Sequence, residues 1–480
     1  MKRPFDSGTR AVIGLAGMLV LATLASCGGD GVVGSGGTGR GNTGIAIGTV
    51  NGFGSVIVDG VSYDDLNARV VSETAPGVDT LSEVQLGDRV SITYAGPGIA
   101  SVVRIDTALS GPVATAFSSG RFSMLGQTVV INAGSGLGPT TQFGGGYLQA
   151  TDIVVGDPVD VNGVLVQQAG SWVIAATRVD KLSAAPAYLR VSGLVGSLSA
   201  SGPTTFALGG LTVDASSAAV LPAGTPLADG QAVTVLAAPA DYTVSGPGAP
   251  RLRAAQVRIA ALQSGALDDY VSGSISRLDA AAMTFLLGAQ PVSYAGATIT
   301  PARASPANGR YVQVQGRVGS DGSLTASTVA IRDAETEDDS ELRGNIVAFD
   351  SATNHLTVRG VLVDASTATL QGCPASGLAN GLYVQITGSL GTAGVVAQVI
   401  RCESEPSGGT VERDGVAGAV DLGARTFTLT RQQGSTVSVE WTDTTYFGGA
   451  TPSTLSGKPV EVQGTFIGAT LVASKVKVDD

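Results

Sequence analysis

Apolar and polar residues alternate in short runs along most of this chain, and the runs recur. Gly87-Asp88-Arg89-Val90-Ser91-Ile92 has counterparts at Gly156-Asp157-Pro158-Val159-Asp160-Val161 and Gly230-Gln231-Ala232-Val233-Thr234-Val235. Further copies stand at Gly309-Arg310-Tyr311-Val312-Gln313-Val314, Gly381-Leu382-Tyr383-Val384-Gln385-Ile386 and Gly457-Lys458-Pro459-Val460-Glu461-Val462. A period of two predicts a strand buried on one face. In four copies a glycine follows (Gly163, Gly316, Gly388, Gly464) and is read as closing the strand.

Other strands surround each copy. A second run beginning with alanine follows it, as in Ala254-Ala255-Gln256-Val257-Arg258-Ile259 and Ala473-Ser474-Lys475-Val476-Lys477-Val478. A hairpin precedes it, as in Val56-Ile57-Val58-Asp59-Gly60-Val61-Ser62-Tyr63 and Phe206-Ala207-Leu208-Gly209-Gly210-Leu211-Thr212-Val213. Asp59-Gly60 and Gly209-Gly210 suit the positive φ angles of a two-residue turn. A short opening strand leads in, as at Gly48-Thr49-Val50 and Gly344-Asn345-Ile346. About five strands in a small unit leave exposed edges unless the sheet curls on itself. The expected fold is therefore all-β, with six tandem five-stranded barrels of the oligonucleotide/oligosaccharide-binding (OB) type, packed as a string with semi-rigid contacts.

The N-terminus reads differently. Lys2, Arg3 and Arg10 precede an apolar run from Ala11 to Ala25, shorter than the roughly 20 residues of a spanning helix. Leu24-Ala25-Ser26-Cys27 resembles the lipobox of bacterial lipoproteins, which implies that Cys27 is acylated and becomes the mature N-terminus. Gly28 stands where an aspartate is associated with inner-membrane retention, so the resemblance implies the outer membrane, with periplasmic or surface display left open. Residues 27–43 form a glycine-rich tether that cannot bury a core. The expected divisions are signal 1–26, tether 27–43, and repeats 44–109, 110–183, 188–263, 270–333, 341–403 and 415–480. Residues 334–340 and 404–414 are read as linkers.

These repeat signatures resemble the bacterial family known as domain of unknown function 5666, found in envelope lipoproteins. The resemblance implies an OB-like barrel outside the cytoplasm and carries no catalytic residue.

Composition narrows the function. With 28 Lys+Arg against 39 Asp+Glu, the net charge is −11. No basic cluster is present, which argues against a nucleic-acid partner. His355 is the single histidine and lies beside no nucleophile motif, so neither a Ser-His-Asp triad nor a zinc site is expected. No cofactor is implied. Cys373 and Cys402 are expected to form a disulfide, closing a loop worth about 3 to 4 kcal/mol. The acidic stretch Asp333, Glu335, Glu337, Asp338, Asp339, Glu341 reads as a solvated linker, and Asp59, Asp64 and Asp65 as turn residues. Trp172, Trp441, Tyr446 and Phe447 would stack on sugar rings if exposed and fill the barrels otherwise. The expectation is a lipid-anchored, non-enzymatic envelope protein acting as spacer or protein-interaction scaffold. A glycan- or polymer-binding module is the alternative, and a hydrolase built on paired carboxylates comes third.

Overall fold

The computed structural model describes residues 43–478 except 66–67, 96–97, 135–137, 245–248, 261, 263–267, 289, 320–321, 333–338, 405–409, 432–435 and 468–469. The signal, Cys27 and nearly all of the tether lie outside the described residues. So do Asp333, Glu335, Glu337 and Asp338.

The described chain is all-β: strands, three short 3-10 turns and no α-helix. One circuit of strand pairings recurs, clearest in the last repeat. Its first strand, Thr410–Asp421, pairs antiparallel with Thr426–Thr430, which pairs with Thr436–Gly448. That third strand runs parallel to Thr470–Val478, which pairs antiparallel with Pro459–Ile467, and the latter returns to the first strand. The result is a closed barrel. In the fifth repeat, Asp339–Asp350, His355–Val358, Val361–Asp364, Tyr383–Gly391 and Gly394–Cys402 follow the same order of pairing.

The first five repeats are not separate sheets. Ala46 and Ile47 run parallel to Tyr270 and Val271, and Gly52 and Phe53 run parallel to Glu341 and Leu342. Arg190 and Val191 pair with Ser110 and Leu109. These ladders merge the first, fourth and fifth repeats into a 19-stranded sheet and the second and third into a 14-stranded one. The first repeat therefore bonds to partners more than 200 residues away, which a string of beads does not do. Hydrophobic cores merge as well. One cluster spans the second and third repeats, another the first and fifth, while the fourth and sixth keep their own.

Three local expectations need correcting. Opening strands are long, reaching 11 residues in Thr43–Phe53 and 12 in Asp339–Asp350, because each pairs with more than one neighbour. The stretches 334–340 and 404–414 run into strands: the opening strands begin at Asp339 and Thr410, and Val411 and Glu412 are each 2% exposed. Finally, Gly163, Gly316, Gly388 and Gly464 do not end their strands. Each sits at a register shift inside one, where the fifth strand crosses so closely that a Cβ would lie 2.2 to 2.6 Å from a backbone oxygen. Glycine is needed there for space, and the extra residue bends the strand as a β-bulge.

The Asp59-Gly60 turn follows expectation, with φ of 48° and 83°; of Gly209-Gly210, only Gly209 takes a positive φ, 53°. Leu125-Gly126 and Arg359-Gly360 use the same geometry with larger first residues.

The bulge can be tested by Gly388→Ala, whose new methyl would meet Val396 O at 2.2 Å, against Gly391→Ala, whose nearest contact is 3.5 Å. Thermal or urea unfolding should show a loss of about 2 kcal/mol or more for the first and under about 1 kcal/mol for the second. Equal losses would contradict the close-crossing explanation.

Candidate functional site

Five acidic residues of the first repeat each meet a different repeat. Glu73, on the strand Arg69–Ala75, is 6% exposed and takes hydrogen bonds from Arg258 (2.5 Å), Arg190 (3.3 Å) and Gln256 (3.4 Å) of the third repeat. Asp88 accepts from Asn162 of the second repeat (3.2 Å) and lies 3.9 Å from Arg178, which also donates to Leu86 O at 3.0 Å. Tyr311 of the fourth repeat donates to Asp59 at 2.9 Å. The Asp65 carboxylate feels the field of Arg359 in the fifth. Glu83 holds Lys475 of the sixth at 2.6 Å, and Lys475 reaches Glu461 at 2.8 Å as well. The first repeat is thus a hub, with one carboxylate for each neighbour.

Sequence position gave part of this. Asp59 is indeed a turn residue, but it is buried and engaged, because the tip of its hairpin packs against the fourth repeat. Arg89 beside it is 8% exposed and donates to Ser272 O at 2.8 Å. Asp64 is exposed and sits in a β-bridge rather than a turn, its backbone paired with Gly98 and Ala100. The missed signal was the charge in and beside the strands of the first repeat, at Glu73 and Arg89 within strands and Asp88 just before one.

Burial perturbs several of these acids. It pushes Asp88 up to about 7, opposed by Arg178. Glu412, on the opening strand of the sixth repeat, is pushed up to about 8, first by burial and then by neighbouring Glu461. One Glu412 oxygen accepts from Gln463 at 2.8 Å, and Oε1 has no partner among the described residues. Asp269, at the junction of the first and fourth repeats, is raised to about 6, chiefly by burial.

The other residues read from sequence fall as follows. Cys373 and Cys402 are joined in a disulfide, Cα atoms 4.8 Å apart. His355 is exposed, with Nε2 4.0 Å from Asp364. Trp172 is half-buried beneath the Arg277 guanidinium, 5.6 Å from its ring centre. Trp441 and Phe447 meet edge to face at 6.0 Å in the core of the sixth repeat. Tyr446 lines a cavity of about 70 Å³ between the first, fifth and sixth repeats. Asp339 accepts from Asn51 through its carbonyl at 2.7 Å, and Glu341 from Arg343 and Gln385, both at 2.8 Å. Among the described residues, no cluster of His, Cys, Asp and Glu is arranged to hold a metal ion. An apolar groove of about 370 Å³ runs between the second and third repeats, lined by Pro112, Pro158, Pro186, Leu189 and Tyr242.

Fold and junctions together define a tandem array of one all-β domain. Residues 110–180, 272–330 and 343–401, within the second, fourth and fifth repeats, match the family described as Domain of unknown function (DUF5666). No curated protein matches the chain. Among solved structures, CusF-Ag(I) residues 10–88 from Escherichia coli is 17% identical, covering 16% of this chain and 100% of its own, with a TM-score of 0.14. Drosophila Unr CSD456 is 11% identical over 44% of this chain and 96% of its own, also with a TM-score of 0.14. At such overlaps neither likeness bears on fold or function.

Glu73→Ala strands the buried Arg190 guanidinium and the half-buried Arg258 guanidinium and should lower stability by about 3 to 5 kcal/mol. Asp443→Ala, which removes an exposed partner of Arg425, should cost about 0.5 kcal/mol. Urea midpoints measure both, and comparable losses would contradict the hub. A second expectation concerns pH. A carboxyl raised in the folded state favours folding below its ordinary pKa of 4.5, and that preference is lost as pH rises to about 8. The melting temperature should therefore fall over that range. Glu412→Gln should fall less steeply, and an unchanged slope would assign the effect elsewhere.

Proposed function

We propose that the chain is a lipid-anchored envelope protein whose six repeats, each a five-stranded OB-type barrel, form a rigid, non-enzymatic platform for another envelope protein. The observation that carries this reading is the hub. Buried carboxylates are spent on fixing one repeat against the next, and fixed surfaces lose less entropy on binding than hinged ones. That favours a scaffold over a spacer, whose reach would come from repeats laid end to end.

One loop of the second repeat has the character of a contact site. Tyr147 and Ile153 are buried to either side, and Asp152 accepts from the backbone N–H groups of Leu148 and Gln149 at 2.9 and 3.1 Å. This anchored loop holds Leu148, Val154 and Val155 in water, 74%, 55% and 57% exposed. Apolar side chains displayed by a well-bonded loop suit a partner surface.

Anchoring is tested by Cys27→Ala, which should move the protein from the membrane fraction to the soluble fraction. Retention in the membrane would end the lipoprotein reading. For the platform, crosslinking in intact envelopes should give a discrete protein adduct that weakens in Val154→Asp. Adducts insensitive to that change would count against this face.

A further inference from the structure

The cavity between the first, fifth and sixth repeats holds an arrangement that packing alone does not require. Arg359 occupies the first position of a hairpin turn, at φ 53°, where glycine or asparagine is the easier choice. Its guanidinium lies 5.6 Å from the centre of the Phe53 ring, and Nε and Nη1, both buried, have no hydrogen-bond partner among the described residues. A buried donor left unpaired costs about 1 to 3 kcal/mol. The wall also carries Asp65, Glu83, Lys475 and half-buried Tyr446.

The chemistry of the wall selects its ligand. Asp65 and Glu83, with Glu461 behind them, outnumber Arg359 and Lys475, so a free anion meets a net negative field. A metal ion fares no better, because Glu83 and Glu461 are already bound to Lys475 at 2.6 and 2.8 Å. A neutral hydroxyl both accepts from a guanidinium and donates to a carboxylate. A ring carrying adjacent hydroxyls does this twice while laying its C–H face on an aromatic. The space of about 70 Å³ takes roughly five waters, comparable to the hydroxyl-bearing edge of one ring. We propose that this cavity binds the hydroxylated edge of a pyranose sugar, with Arg359 donating, Asp65 accepting and Tyr446 flanking the ring. The site is independent of the platform reading and adds a glycan ligand to it.

Isothermal titration of the mature chain with methyl β-glucopyranoside and with N-acetylglucosamine tests this. At least one should give saturable binding to a single site. Arg359→Gly suits the positive φ and should keep the native near-ultraviolet spectrum while weakening that binding by about tenfold or more. Asp65→Asn should weaken it too. Absence of saturable heat with both sugars would overturn the proposal, as would equal affinity in wild type and the correctly folded Arg359→Gly variant.

Discussion

Charge buried at the junctions is the constraint on which the arrangement of repeats depends. Removing a carboxylate from water is costly, and its attraction to a cation repays this only in good geometry with the remaining lone pairs satisfied. Glu73, with three donors from the third repeat, meets that condition. Such contacts add little net stability over an apolar junction, but they punish every wrong pairing. In a protein whose repeats look alike, that discrimination is what a junction must provide. Val and Leu faces would let any repeat dock on any other.

The same backbone feature is put to different uses at these junctions. The turn between the second and third strands places a residue at positive φ in each of several repeats: Asp59, Leu125, Gly209 and Arg359. Asp59 bonds to Tyr311, Leu125 is fully buried, Gly209 leaves room for Gln127, and Arg359 faces the cavity. One geometry supplies a protruding tip, and the side chain decides what the tip recognises.

Much of the architecture was legible because alternation records burial directly. Tyr311–Val318 buries Val312, Val314 and Val318 as the pattern demands, and Asp59-Gly60 turns where its chemistry says it must. Alternation does not record what covers the buried face. The parallel ladder between Gly52 and Glu341 leaves no local mark, since its two strands lie almost 300 residues apart and each also has ordinary partners. The bulge glycines misled for a related reason: a glycine excluded by a crossing strand and a glycine ending a strand look the same in one dimension. Glu412 falls in a stretch that reads as a linker between repeats, whereas it is buried beside Gln463 and Glu461. Of the cavity wall, Asp65 and Tyr446 were legible, but only as separate residues, since Asp65 and Glu83 come from the first repeat, Arg359 from the fifth and Tyr446 from the sixth.

That the hub is the first repeat has a consequence for assembly. A growing chain delivers its N-terminal domain before the rest, and domains fold as units in that order. The template for all five junctions is thus complete before any later copy emerges, and each newcomer meets a dock already shaped for it. Were the hub last in the chain, five similar repeats would wait together with their complementary faces uncovered, free to pair with one another. Gene order here serves as a safeguard against misassembly.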